Sequence, residues 1–346
     1  MGIDLLREPR CESLSSIRTY QDCPRAYYYK YVEKLKNPIQ SSHFRRGSYV
    51  DYCLSYALRN NDRLPEVPSD ELQQICWSDG TEVCNVDWQE CSKIVRRVLA
   101  FIRGLGWRTL DENPVKYVQA DLISADEAIH GIADWLARDP QGNLCLVDFK
   151  VSKVQPSPQT CLDFDQQLGI YAYLWNNIAY GEPLHLYQLR IFGRVPTIPK
   201  IVKHKNSTKK FPRHKPESGK ITTTWEIWSQ VARECGENPE SLDYLEQRNY
   251  FDNIVWQCFV PVFCPEPVQN ELALNIYSWR DKIDSYDAMF KLRNLRNYVN
   301  GPCNSDTSIT QRCPFIEPCR ADLLQISRPA WAKVVSHDGS NLDIAQ

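Results

Sequence analysis

The chain has 346 residues, of which 42% are hydrophobic and 24% charged, and its formal net charge is −2. This is the composition of a soluble globular protein with enough chain for one large domain or two modest ones. It excludes a disordered chain and a uniformly basic nucleic-acid binder.

No stretch approaches the roughly 18 consecutive apolar residues of a membrane span, and the opening MGIDLLREPR has no apolar signal core. A cytoplasmic protein without a membrane partner is therefore expected. Met1-Gly2 does not begin a myristoylation pattern, because position 6 is Leu. Without a secretory signal the 14 cysteines are not read as a disulfide framework. Cys53, Cys145 and Cys161 lie in apolar surroundings and suit the core, where a free thiol packs as a small hydrophobe.

Residues 1–12 carry no periodic signal. A helix is expected from about Ser13, capped by Ser15 or Ser16, with Ile17, Tyr20, Cys23 and Tyr27 at helical spacing. Pro24 divides it into two pieces that meet near Cys23. Tyr27, Tyr28, Tyr29 and Tyr31 suit a packed amphipathic face. A second helix is expected over 44–60, followed by a loop rich in Pro, Asp and Glu over 61–85. The third helix is expected over 86–105, where Trp88, Cys91, Ile94, Val98 and Ile102 form an apolar stripe. Residues 115–124 read as a strand.

From His130 onward, two apolar runs flank Asp139-Pro140-Gln141-Gly142-Asn143, and such a turn-forming cluster predicts a β-hairpin. The second run ends in Asp148-Phe149-Lys150. Because side chains alternate along a strand, Asp148 and Lys150 share a face, and hairpin pairing brings Asp134 beside them. Two carboxylates held together repel unless a cation sits between them. Mg²⁺ or Mn²⁺ suits that place, since a hard ion takes oxygen ligands and keeps several waters. Lys150 cannot ligate the metal, but it can orient or deprotonate a metal-bound water or hold a phosphate oxygen. Such a set can hydrolyse a phosphodiester. Asp-x-Lys alone occurs by chance in most proteins and, by itself, suits the plain end of a strand better than a site. In the helix that follows, ending near residue 178, Gln167 and Tyr171 are four apart and share a face.

Residues 184–192 alternate as a strand. The stretch 196–220 has little periodicity and reads as a loop; it carries Lys203, Lys205, Lys209, Lys210, Arg213 and Lys215 against the single acid Glu217. Such a run suits either a solvated face or a patch that tracks phosphates, and Lys209, Lys210 and Arg213 are the candidate DNA contacts. Helices are expected over 222–235 and 238–247, a strand over 253–263 and a long helix over 266–295. Near the end, Cys303, Cys313 and Cys319 fall in a loop rich in Pro, Gly and polar residues, where core cysteines are unusual and metal thiolates common. With Cys23 they make four thiolates, which suit a [4Fe–4S] cluster or structural zinc equally.

Taken in order, the pattern G-x-x-D at Gly131 to Asp134, D-x-K at Asp148 to Lys150 and Q-x-x-x-Y at Gln167 to Tyr171 resembles the PD-(D/E)XK nuclease superfamily in its RecB-type branch. The opening string from Ser15 to Tyr29, with Cys23-Pro24-Arg25, and the closing Cys313-Pro314-Phe315 with Cys319 resemble the members of that branch that carry an iron–sulfur cluster. These include CRISPR-associated adaptation nucleases and many bacteriophage proteins. The resemblance covers about residues 13 to 320. It implies that Asp134 and Asp148 bind Mg²⁺ or Mn²⁺, that Lys150 serves catalysis, and that Gln167 and Tyr171 border the active site and the DNA. It also implies that Cys23, Cys303, Cys313 and Cys319 hold a [4Fe–4S] cluster.

Two departures stand out. The family's metal-contacting His is replaced by Asp51, which can itself ligate a hard metal or lie at a solvated surface; His43 and His130 are neighbours that could compensate. The gap between Cys303 and Cys313 is longer than in many relatives, which leaves Cys11 and Cys264 as spare thiolates. The fold implied is α/β: a mixed central β-sheet flanked by helices, a restriction-endonuclease-like core, with a C-terminal cluster-binding loop. The expected organisation is one nuclease domain over 1–320 with a basic insertion at 196–220, and a polar tail over 321–346. The expected activity is metal-dependent cleavage of DNA, on single strands or ends, in recombination, repair or phage DNA processing. The alternatives are an inactive DNA-binding protein of the same fold and a structural zinc protein.

Overall fold

The computed structural model describes residues 11–35, 42–65, 84–110, 114–156, 166–178, 182–203, 210–212 and 222–285. Helix α1 (Leu14–Asp22) is capped by Ser13 rather than by Ser15 or Ser16. The Ser13 hydroxyl accepts from the Ser16 N–H, and the Ser16 hydroxyl accepts from the Ser13 N–H. Ser16 is thus the reciprocal partner of a capping box, and the cap lies three residues earlier. Cys23 has an extended backbone that ends α1 and caps α2 (Pro24–Tyr27), with Pro24 at the position where a missing N–H costs nothing. A π-helical turn, Tyr28–Val32, follows. Tyr27 and Tyr29 are buried.

Helices α3 (Ser42–Arg59) and α4 (Cys84–Gly104) come next. Strand β1 (Arg108–Thr109) is too short to leave a periodic signal. The strand expected from residue 115 begins instead as a helical turn, α5 (Pro114–Tyr117), because proline at a first helical position favours that start. Strand β2 (Val118–Ile123) follows. The hairpin is formed by β3 (His130–Arg138) and β4 (Leu144–Ser152). Its turn is held by Asp139, whose carboxylate accepts from the N–H groups of Gln141 and Asn143, and Gly142 takes the left-handed backbone at φ 87°. Helix α6 (Gln166–Ile178) connects β4 to β5 (Leu184–Phe192).

The expected loop at 196–220 contains a small hairpin of β6 (Ile201–Lys203) and β7 (Lys210–Pro212). Helix α7 (Trp225–Glu234) is capped by Thr224. The helix expected over 238–247 is displaced toward the C-terminus. Asn238 and Ser241 bond their neighbours' backbone N–H groups, which favours a turn, so a 3₁₀ turn at Leu242–Tyr244 leads into α8 (Leu245–Asp252). The next strand, β8 (Gln257–Val262), starts later than expected because Asn253 still caps α8. The last described helix is α9 (Glu266–Ser285).

The sheet runs β1-β3-β4-β5-β8, and β2 shares with β1 the outer edge of β3. Only β4 and β5 are parallel among these neighbours, joined through α6 as a βαβ unit. Strand β4 is buried on both faces through Asp148, as a central strand covered by helices must be. Its odd-numbered residues Cys145, Val147 and Phe149 pack with α3 and α4. Leu146 packs with the opposite layer, which includes residues of α1, α6 and α9. A third, aromatic cluster of Phe192, Trp225, Trp228, Phe251 and Ile254 ties α7 and α8 to the end of β5.

Cys53 and Cys145 are buried as expected, and burial pushes both thiols up to about 12. Cys161, Cys303, Cys313, Cys319, Lys209, Arg213, the end of the long helix expected to 295 and the tail at 321–346 lie outside the described residues.

Candidate active site

The site lies where the β3–β4 hairpin splays. Antiparallel pairing between the two strands runs from Arg138 and Leu144 up to Trp135 and Val147 and then stops. At the next level the Phe149 N–H donates to the Asp134 carboxylate, with 2.7 Å between nitrogen and Oδ2, in place of a backbone carbonyl. On the other edge of β3, Val118 pairs with Trp135 and Ala120 with Ala133, while Gln119 and Asp134 between them are left out of the ladder. Gln119 takes a left-handed backbone at φ 53°. Such a residue in a strand stores strain of order 1–3 kcal/mol. The irregularity reverses the faces of both strands. Val118 and Trp135 pack toward α3 and α4, whereas Ala120 and Ala133 pack in the layer of α1 and α6.

The Gln119 amide joins three side chains across this gap. Its Nε2 lies 3.2 Å from Asp134 Oδ1, 3.3 Å from Asp51 Oδ1 and 3.1 Å from Ser55 Oγ. Asp51 and Ser55 are one turn apart on α3, so the amide links that helix to the sheet. Gln119 and Ser55 escape a reading of the sequence. A polar residue within an alternating strand looks like an outward-facing one, and no local pattern announces a left-handed backbone at a non-glycine residue.

The lysine side is regular. Lys150 Nζ lies 2.6 Å from Asp148 Oδ2 and donates to Gln167 Oε1 at 3.0 Å. Gln167 Nε2 donates in turn to the Tyr171 hydroxyl at 2.7 Å. The D-x-K and Q-x-x-x-Y motifs therefore form one connected row, and the G-x-x-D motif lies against it. Its glycine has a packing role: a Cβ on Gly131 would lie 2.5 Å from the Tyr171 ring, so only glycine lets α6 bring Tyr171 this close to β3. A groove of about 490 Å³ runs along α1 and α6 beside this row, with Arg18, His130, Gln167 and Tyr171 among its lining. His130 pairs with Asp121 across 2.7 Å. That engagement accounts for His130 without a place among the carboxylates. The side chain of His43 lies outside the described residues, as does that of Lys210.

Burial and crowding dominate the electrostatics. Burial, then the charge of Asp51, push Asp134 up to about 7, against the opposing pull of the Phe149 N–H, Lys150 and Gln119. Burial, then the charge of Asp148, push Asp51 up to about 6. Asp148 is 1% exposed. Three carboxylates thus share a poorly hydrated space with the Lys150 ammonium, with the Arg59 guanidinium also acting on Asp51, and a divalent cation would relieve the remaining negative charge. Among the described residues no three His, Cys, Asp or Glu side chains converge on one metal-sized position. Carboxylate oxygens are donors that Mg²⁺ and Mn²⁺ accept, since these ions are held through one or two carboxylates and retain waters. Asp134 and Asp148 are the residues that would hold the metal, with Asp51 next to them. The bound ion would supply a water of lowered pKa and a charge against a phosphate oxygen.

Cys23 is buried, and its sulfur accepts from the Ala26 N–H at 3.5 Å. Cys264 packs against α6, where a Cβ on Gly169 would lie 2.7 Å from its sulfur. Cys11 is exposed. Among the described residues no helix is long and apolar enough to cross a membrane.

The family model described as PD-(D/E)XK nuclease superfamily matches residues 12–320, and the chain belongs to that superfamily. No curated protein matches the chain.

Proposed function

We propose that this member of the PD-(D/E)XK nuclease superfamily is a metal-dependent deoxyribonuclease of the RecB type that cuts phosphodiester bonds of single-stranded DNA or of DNA ends. The observation that carries the reading is the unbroken row Asp148–Lys150–Gln167–Tyr171 beside half-buried Asp134. Asp134 and Asp148 hold Mg²⁺ or Mn²⁺, with Asp51 standing where relatives carry a histidine. Lys150, fixed between Asp148 and Gln167, keeps its ammonium where it can meet a water or a phosphate oxygen. Gln167 and Tyr171 line the groove beside it and border the strand being cut.

Three further elements belong to the same reading. Lys209, Lys210 and Arg213 contact the DNA backbone from the insertion. Cys23, Cys303, Cys313 and Cys319 hold a [4Fe–4S] cluster that ties the first helices to the C-terminal segment. The enzyme acts in the cytoplasm in recombination, repair or phage DNA processing, as the likeness to bacteriophage and CRISPR-associated adaptation nucleases suggests.

The test is digestion of end-labelled DNA with Mg²⁺ or Mn²⁺, comparing single strands, duplex and blocked ends. Cleavage of single strands or open ends is expected. DNA binding without cleavage under any metal would instead make this an inactive binding protein. Protein purified without oxygen should be brown, with about four irons and four sulfides per chain, and Cys23→Ser should bleach it. A colourless, zinc-loaded chain would remove the cluster from the proposal. Alanine at Lys209, Lys210 and Arg213 should flatten the salt dependence of DNA binding, because fewer counterions are released. An unchanged slope would leave that loop a solvated face.

A further inference from the structure

The geometry points to Gln119 as an additional residue of the metal site, one whose side-chain amide turns over when the metal enters. The inference rests on the proposed metal dependence and adds a ligand outside the sequence motifs. The amide stands between two of the three carboxylates of the proposed metal site, at 3.2 Å from Asp134 and 3.3 Å from Asp51. Its nitrogen has two hydrogens and faces three oxygens, counting Ser55 at 3.1 Å. All three contacts are longer than the usual 2.9–3.0 Å or so of an N–H···O bond, so the nitrogen is shared rather than fitted. Among the described residues nothing donates to the other end of the amide, Oε1.

A donor is the right group for this place only while the metal is absent. Its protons then offset the charge of two half-buried carboxylates. A divalent cation entering the same region would meet those protons head on. A half-turn about the last side-chain torsion, which is soft, exchanges nitrogen for oxygen without moving the backbone. The carbonyl oxygen is a hard, neutral ligand of the kind that Mg²⁺ and Mn²⁺ accept. The left-handed backbone at φ 53° fits this role, because the strain sits at the one position of β2 level with Asp134.

The experiment compares Gln119→Leu and Gln119→Glu with the wild type, using Mn²⁺ alone and no DNA. Mn²⁺ affinity is read by calorimetry or electron paramagnetic resonance, and the thermal midpoint is read with and without the ion. Gln119→Leu should bind Mn²⁺ about tenfold or more weakly. Gln119→Glu loses the donor and adds a charge, so its metal-free midpoint should fall. Its Mn²⁺ affinity should equal or exceed that of the wild type, which makes its Mn²⁺-induced shift in midpoint the largest of the three. Wild-type affinity in Gln119→Leu would overturn the assignment. Equal weakening in both variants would overturn the turn-over and reduce Gln119 to a donor. A wild-type protein that binds no Mn²⁺ would defeat the metal reading itself, and this inference with it.

Discussion

Asp134 and Lys150 lie on adjacent strands and serve one site, yet the fold builds their surroundings by opposite means. Around Lys150 everything is regular. The period of a strand sets Asp148 against Lys150, one turn of α6 sets Gln167 against Tyr171, and the contacts are short, at 2.6, 3.0 and 2.7 Å. Around Asp134 the regular pattern fails on both edges of β3, the backbone of Gln119 is left-handed, and the contacts of the amide are long. Opposite charges attract and need only ordinary geometry to stay together. Like charges have to be forced together, and here burial, an interrupted ladder and a shared amide do so. The difference teaches that the acidic half stores free energy which a cation can release, while the lysine half is already at rest.

The comparison breaks most visibly in catalysis. Asp134→Ala, Asp148→Ala and Lys150→Ala should each reduce Mn²⁺-dependent cleavage of labelled DNA to background while circular dichroism keeps its shape. Full activity in any one would remove that residue from the site.

Stability without metal should then separate the two halves by sign. Lys150→Met leaves Asp148, 1% exposed, without its ammonium and should cost about 2 kcal/mol, discounted because Lys150 is itself 40% exposed. Asp134→Asn removes a half-buried charge from beside Asp51 and should stabilise the metal-free protein by about 1 kcal/mol, while losing the stabilisation by Mn²⁺. Denaturant titration of the two variants measures both. Equal signs would mean that the acidic half is not strained.

Smaller effects belong to the contact between the halves. Gly131→Ala forces a Cβ to within 2.5 Å of the Tyr171 ring, so the ring must move. A cost of about 1–3 kcal/mol and slower cleavage at unchanged Mn²⁺ affinity are expected. Tyr171→Phe removes the hydroxyl that accepts from Gln167 Nε2 and should cost about 1 kcal/mol, with a several-fold slower cleavage rate. A changed Mn²⁺ affinity in either variant would show that the lysine row also shapes the metal site.

The hairpin around residues 139–143 and the helix that carries Gln167 and Tyr171 are legible because each obeys one local period and one turn chemistry. The same holds for the two helical pieces that meet at Cys23. The errors arise where a local signal has two solutions. Ser13, Ser15 and Ser16 all make good caps, and only the built turn shows Ser13 accepting and Ser16 reciprocating. Asn238 to Ser241 fit a helix or a turn, and their bonds to the local backbone selected the turn.

The sequence by itself determined the superfamily motifs, their order and, on β4 and α6, the face on which each side chain emerges, because strand and helix periods are properties of neighbouring residues. Only the tertiary structure decided that Asp51 on α3 comes to share a space with Asp134 on β3, and that Gln119 stands between them. It also decided that Gly131 is glycine for the sake of Tyr171, forty residues further along the chain. Those facts depend on where four separate elements, α3, β2, β3 and α6, close on one another. A left-handed residue opposite an unpaired one has no local cause; it is sustained by the packing of helices on both faces of the sheet.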